Sequence, residues 1–138
     1  MVIRAVAAIV LAGVVALAQK QASVWDGVYT AAQAKRGEPV YAQYCASCHG
    51  AMLEGRGQTP PLVGSDFNMD WNAMPISELF DKMQAAMPAD KPGTLSRAQN
   101  ADILAYMLQY GKFPAGQAEL TADADGLKKI RFEGDKPK

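Results

Sequence analysis

An all-α fold with extensive loops is predicted by three features of this chain. Apolar residues recur at i, i+3, i+4 and i+7 in the 76–86 segment and form a similar stripe near residue 105, the spacing of a buried helix face. No stretch alternates apolar and polar residues for long, as a half-buried strand would. Residues 50–68 concentrate Gly50, Gly55, Gly57, Pro60, Pro61 and Gly64, which marks an irregular wrap and not a helix.

The elements follow in order. Met1-Val2-Ile3-Arg4 is a short positive region, and residues 5–18 are uninterruptedly apolar. That run is short of the roughly 20 residues a membrane span needs. Ala16-Leu17-Ala18 has the A-x-A form of a cleavage site, so residues 1–18 read as an export signal. The alternative is an uncleaved N-terminal membrane anchor. Residues 19–34 read as an N-terminal arm, extended, with one short helix around Trp25 and Tyr29. Residues 37–46 form the first firm helix, with Pro39 placed in its first turn, where a missing N–H does no harm. Val40, Tyr41, Tyr44 and Cys45 make its apolar face.

The 50–68 wrap is long for a small domain unless it is functional. The helix at 76–86 carries Ile76, Leu79, Phe80 and Met83 on one face and ends by Met87, because Pro88 disfavours helical backbone before it. Residues 87–93 form a turn-rich loop. The last helix opens on Ser96 and Gln99, an S-x-x-Q capping box, and closes at Gly111. Ile103, Leu104, Met107 and Leu108 are its apolar stripe. The main domain thus spans 35–111. In the tail, 112–138, Phe113 and the Leu127/Ile130 pair predict a segment folded back onto the body.

Composition narrows the function. Cleavage after Ala18 leaves 138 − 18 = 120 residues, the size of one domain. The chain has 14 basic and 14 acidic residues, and losing Arg4 gives 13 − 14 = −1. No basic stretch interleaved with aromatics exists to bind nucleic acid.

Cys45-Ala46-Ser47-Cys48-His49 carries the chemistry. C-x-x-C-H is the attachment pattern of a c-type haem. Two thiols at this spacing match the two vinyl groups on one porphyrin edge, and the adjacent histidine lies under the iron. A redox dithiol would need a βαβ context. A zinc site needs four ligands, and the chain offers only 2 Cys and 1 His. Export agrees with the motif, since c-type haem is attached outside the cytoplasm in bacteria.

His49 is the only histidine, so a bis-histidine iron is excluded by count. Methionine is the next common axial ligand and raises the potential. Met52 is too close to His49 to reach the opposite face. Met83 and Met107 sit on apolar helix faces, where packing explains them. Met69 and Met74 lie in a loop within reach of the ring edge. Met87, after a helix end and beside Pro88, is best placed, with Met74 and Met83 as alternatives.

Cys45-Ala46-Ser47-Cys48-His49-Gly50, Thr59-Pro60-Pro61-Leu62-Val63-Gly64, Met87-Pro88-Ala89-Asp90-Lys91-Pro92-Gly93 and the closing helix together resemble a class I monohaem cytochrome c. More narrowly, the chain is similar to small bacterial cytochromes c related to the C-terminal haem domain of quinoprotein alcohol dehydrogenases. The resemblance runs over residues 25–118. It implies the class I fold, helices and loops wrapped around one covalently attached haem c. It implies Met87 as the distal ligand and the Pro60 carbonyl as acceptor for the His49 ring nitrogen facing away from iron. It places Leu62 against the ring, Trp71 and Arg56 as candidates for the propionates, and Tyr41 against residues 104–108 where the terminal helices cross.

The expected function is periplasmic electron transfer, not catalysis, by a monomer without stable membrane insertion. The resemblance makes a quinoprotein dehydrogenase the expected donor and an oxidase or another cytochrome the acceptor. Two rivals remain: a fixed subunit of a dehydrogenase complex, and an enzyme or sensor with an open iron. The second would want a distal acid–base group, which a single histidine does not supply.

Overall fold

The computed structural model describes residues 21–138, so the export signal expected at 1–18 lies outside the described residues. Six helices follow in order: α1 (Ala31–Tyr44), α2 (Ala46–His49), α3 (Ser65–Trp71), α4 (Ile76–Ala86), α5 (Arg97–Tyr110) and α6 (Ala124–Lys128). None of the helices among the described residues is long and apolar enough to cross a membrane.

The frame is the crossing of α1 on α5. Gly37 makes it possible: a side chain there would overlap the Asp102 carbonyl of α5. Around that contact Ala34, Tyr41, Ile103, Leu104 and Leu108 are buried, and Tyr41 meets Tyr106 at 5.4 Å between ring centroids. Arg36 adds a surface link, pairing with Asp102 of α5 at 3.0 Å and with Glu119 of the tail at 2.8 Å.

Three expectations about elements need correction. α1 begins at Ala31, not near residue 37, because the Thr30 hydroxyl caps it by accepting from the Gln33 N–H at 3.1 Å. Pro39 therefore sits inside the helix. Lys35, whose carbonyl loses its partner, and Pro39 are both exposed, so water can serve that carbonyl. Second, the wrap ends in a helix: Gly64 takes a left-handed φ of 92° and α3 starts at once on Ser65, burying Phe67. Third, two two-residue strands exist. β1 (Ala22–Ser23) pairs in parallel with β2 (Ile130–Arg131), Ala22 opposite Ile130. Strands this short carry no readable alternation; tertiary closure makes them.

The tail packs on the body through apolar side chains. Phe113, Leu120, Leu127, Ile130 and Phe132 are all buried. Gln33, only 2% exposed on α1, holds it with both ends of its amide: its Nε2 donates to the Leu120 carbonyl at 2.9 Å and its Oε1 accepts from the Leu120 N–H at 2.7 Å. The capping box of α5 forms as read, Ser96 and Gln99 exchanging hydrogen bonds at 2.9 and 3.1 Å.

Candidate haem site

The C-x-x-C-H segment is one compact turn. Cys45 ends α1 with its N–H on the Tyr41 carbonyl at 2.8 Å. Its own carbonyl accepts from Cys48 at 3.1 Å and from His49 at 2.9 Å, which starts α2. Cys45 is half-buried, Cys48 exposed and His49 buried. Before haem attachment, burial, then the neighbouring Cys48 charge, pushes the Cys45 thiol up to about 11. Gly50 leaves the turn at φ 85°, and the buried Tyr41 hydroxyl donates to its carbonyl at 2.7 Å. Burial holds that phenol well above its ordinary value, so it remains a donor.

The following loop wraps around Leu53, which is fully buried at a positive φ of 59°. The Gly55 N–H donates to the His49 carbonyl at 2.7 Å, Leu62 to Leu53 at 2.9 Å, and Arg56 and Thr59 bridge each other at 3.1 and 2.9 Å. These bonds bring the Pro60 carbonyl to 2.9 Å from Nδ1 of His49. A carbonyl only accepts, so Nδ1 carries the proton and Nε2 presents its lone pair. That is the tautomer an iron ligand requires, and in this respect the residues fit a haem.

The other positions divide. Leu62 is half-buried and, with Val63, Phe67, Leu79, Leu104 and Leu108, lines a water-sized apolar void of about 10 Å³ that neither the 45–49 turn nor Met87 borders. Met87 is the first residue after α4, half-buried and extended, with its N–H on the Met83 carbonyl at 3.0 Å. Met74 and Met83 are also half-buried, Met107 is buried, and Met52 and Met69 are 65% and 70% exposed. Trp71 ends α3 half-buried, its ring 6.3 Å from Phe67 and 5.5 Å from the Lys82 ammonium. Arg56 is exposed at the tip of the wrap.

Sequence reasoning missed the brace of the Met87 loop. Asn100 of α5, buried, donates to Gln84 Oε1 at 2.9 Å, and Gln84 donates to the Leu95 carbonyl at 3.2 Å. Gln84 lies one turn before Met87 and Leu95 closes the loop. The available signal was a polar Asn beside the Ile103/Leu104 stripe.

The family model described as cytochrome C oxidase, cbb3-type, subunit III matches residues 32–107. This chain belongs to that family. It is thus a small class I-like cytochrome c that carries a covalently bound c-type haem and transfers electrons through it. Over 80 residues it is 36% identical to a thiosulfate dehydrogenase of Stutzerimonas stutzeri (strain A1501), covering 52% of this chain and 25% of that protein. The chain therefore spans about a quarter of that relative's length. The crystal structure of the sulfane dehydrogenase SoxCD from Paracoccus pantotrophus aligns over 83% of this chain and 62% of the SoxCD chain, with a TM-score of 0.58 and 25% identity. The residues matched by the family model include the whole turn at 45–49 and Met87.

Proposed function

We propose that this cytochrome is an exported, non-enzymatic carrier of single electrons. In this reading Cys45 and Cys48 would hold the haem by thioethers, and His49 Nε2 and Met87 would supply its two iron ligands. The observation that carries the reading is the 2.9 Å bond from His49 Nδ1 to the Pro60 carbonyl. It fixes the imidazole's tautomer and orientation before iron is considered. When bound, the haem supplies an iron that alternates between two oxidation states.

The chain does the rest. α2 and the wrap hold His49 rigid, and the Gln84–Asn100 brace restrains the loop behind Met87. Leu62 would pack on the ring, and dry, rigid surroundings keep reorganisation small and help set the potential. Trp71 and Arg56 are assigned to the propionates, and Cys48 marks the edge through which electrons pass. Partners meet such an edge across small, short-lived interfaces.

The donor is a dehydrogenase and the acceptor an oxidase or another cytochrome. A quinoprotein was the expectation from sequence; the names of both relatives make a sulfur-compound dehydrogenase the first donor to try. Those relatives are longer than this chain, so a fixed subunit of a dehydrogenase complex is the second reading.

The test is anaerobic reduction followed at the haem bands. With thiosulfate alone the protein stays oxidised; with a catalytic amount of a thiosulfate or quinoprotein dehydrogenase and its substrate it becomes reduced. Multiple turnovers on thiosulfate without a partner would instead make this chain an enzyme.

A further inference from the structure

The stacked aromatic side chains fall into two groups. Trp25, Phe67, Trp71, Phe113 and Phe132 meet through phenylalanine rings, which resist oxidation. The other group is made of tyrosines alone. Tyr41 and Tyr106 approach to 5.4 Å between ring centroids, and Tyr106 and Tyr110 to 6.0 Å. Tyr106 and Tyr110 stand one turn apart on α5, so their rings share a face. Tyr41 joins them across the α1–α5 crossing.

This row begins at the turn that carries the two cysteines and His49. Tyr41 is 1% exposed. Its carbonyl accepts from the Cys45 N–H at 2.8 Å, and its hydroxyl donates to the Gly50 carbonyl at 2.7 Å. It is thus bonded to both ends of the turn. Burial, and then the Cys45 charge, hold its phenol above the ordinary value. The row ends near solvent, with Tyr106 and Tyr110 both half-buried. Burial, then the Glu38 charge from α1, raises the Tyr106 phenol, so it too keeps its proton at neutral pH. Phenylalanine would fill the same space at 106 and 110. Tyrosine adds a phenol that gives up one electron together with its proton, and rings this close pass such a deficit from one to the next.

We propose that Tyr41, Tyr106 and Tyr110 form a protective route that carries oxidising equivalents from the haem turn to the surface when hydrogen peroxide attacks the protein. This rests on the haem reading above. Hydrogen peroxide takes two electrons and two protons to become two waters. Electrons pass inward along the row one at a time, and the deficit comes to rest on Tyr110. That phenol loses its proton to solvent and is left as a neutral phenoxyl radical. Two such radicals, on two molecules, join by a carbon–carbon bond, and the displaced ring hydrogens restore the phenols. Overall, one peroxide and two tyrosines give one dityrosine and two waters. An iron with both axial sites filled reacts slowly with peroxide, so the route is a safeguard for a carrier and not a turnover.

The test treats mature, haem-loaded wild type, Tyr106→Phe, Tyr110→Phe and Tyr44→Phe with the same excess of hydrogen peroxide. Bleaching of the main haem band is followed, covalent dimers are separated, and cross-linked tyrosines are located by peptide mass spectrometry. Tyr44 is the control: it is 37% exposed and adjoins Cys45, but it is not one of the three stacked rings. Wild type is expected to form dimers joined through Tyr110. Tyr106→Phe keeps the ring, the resting spectrum and the thermal midpoint, yet should lose dimer several-fold and bleach several-fold faster. Tyr110→Phe should lose that cross-link, and Tyr44→Phe should match wild type. Cross-links at Tyr44 in place of Tyr110 would overturn the route. So would wild-type bleaching and dimer yield in Tyr106→Phe, whatever its midpoint, because these tyrosines would then serve packing alone. The resting spectrum, recorded before peroxide is added, reports the ligand set, so failure of the His/Met reading shows separately.

Discussion

Gly37→Ala is expected to destabilise the protein, against the usual trend. In a helix interior the substitution gains ~1 kcal/mol of propensity. Here the added carbon would overlap the Asp102 carbonyl and stand 2.9 Å from the Ile103 nitrogen, both backbone atoms of α5. Carbon–oxygen contacts settle at about 3.3–3.6 Å, so α1 and α5 would have to part by roughly 1.5 Å. Overpacking of this kind costs about 1–3 kcal/mol, and a collision with rigid helix backbone belongs at the upper end. The net loss is about 2 kcal/mol after the propensity gain. For a chain of this size that lowers the thermal midpoint by roughly 6–12 °C. The assay is thermal unfolding of the oxidised haem protein, followed by far-ultraviolet circular dichroism. Ala42→Gly, at an exposed site on the same helix, measures the propensity component separately. An unchanged or raised midpoint for Gly37→Ala would refute the account of the crossing.

Three further outcomes follow. Gln33→Leu strands the N–H and carbonyl of buried Leu120 at a cost of roughly 2–4 kcal/mol, and faster amide exchange confined to the tail is the signature; uniform exchange across the chain would contradict it. Asn100→Leu removes the brace on Gln84, so the far-red band should vanish on heating well before the helices melt, whereas simultaneous loss would deny the brace a role at Met87. Hydrogen bonds from the backbone, including the Met52 N–H at 2.8 Å, hold the Glu54 carboxyl below its ordinary value. A depressed folded value means stability present above the unfolded value, near pH 4, and lost as pH falls through the folded one. Glu54→Gln should therefore flatten the acid limb of stability against pH, and an unaltered limb would count against this carboxylate.

The sequence announced some parts of this protein clearly and others not at all. α4 and α5 were legible because their apolar stripes and the Ser96/Gln99 box are local signals. So was the return of the tail, since Phe113, Leu127 and Ile130 had no other reason to be apolar. α3 was hidden behind the glycines and prolines of the wrap, and Pro39 pushed the expected start of α1 too far along. The least legible features are polar. Gln33 meets a partner 87 residues away, and Asn100 meets one 16 residues away on another helix. Neither pairing leaves a local pattern. At the site, the five residues at 45–49 indicate chemistry by type and spacing. The Pro60 carbonyl, being backbone, is visible in sequence only through resemblance.

The most direct test of the central claim is the visible spectrum of the mature protein, oxidised and reduced, with and without carbon monoxide, beside Met87→Ala. The account predicts a low-spin wild type that ignores carbon monoxide and shows a far-red sulfur-to-iron band that the variant loses. A high-spin wild type that binds carbon monoxide would contradict it, because the iron would then be open and not held between His49 and Met87.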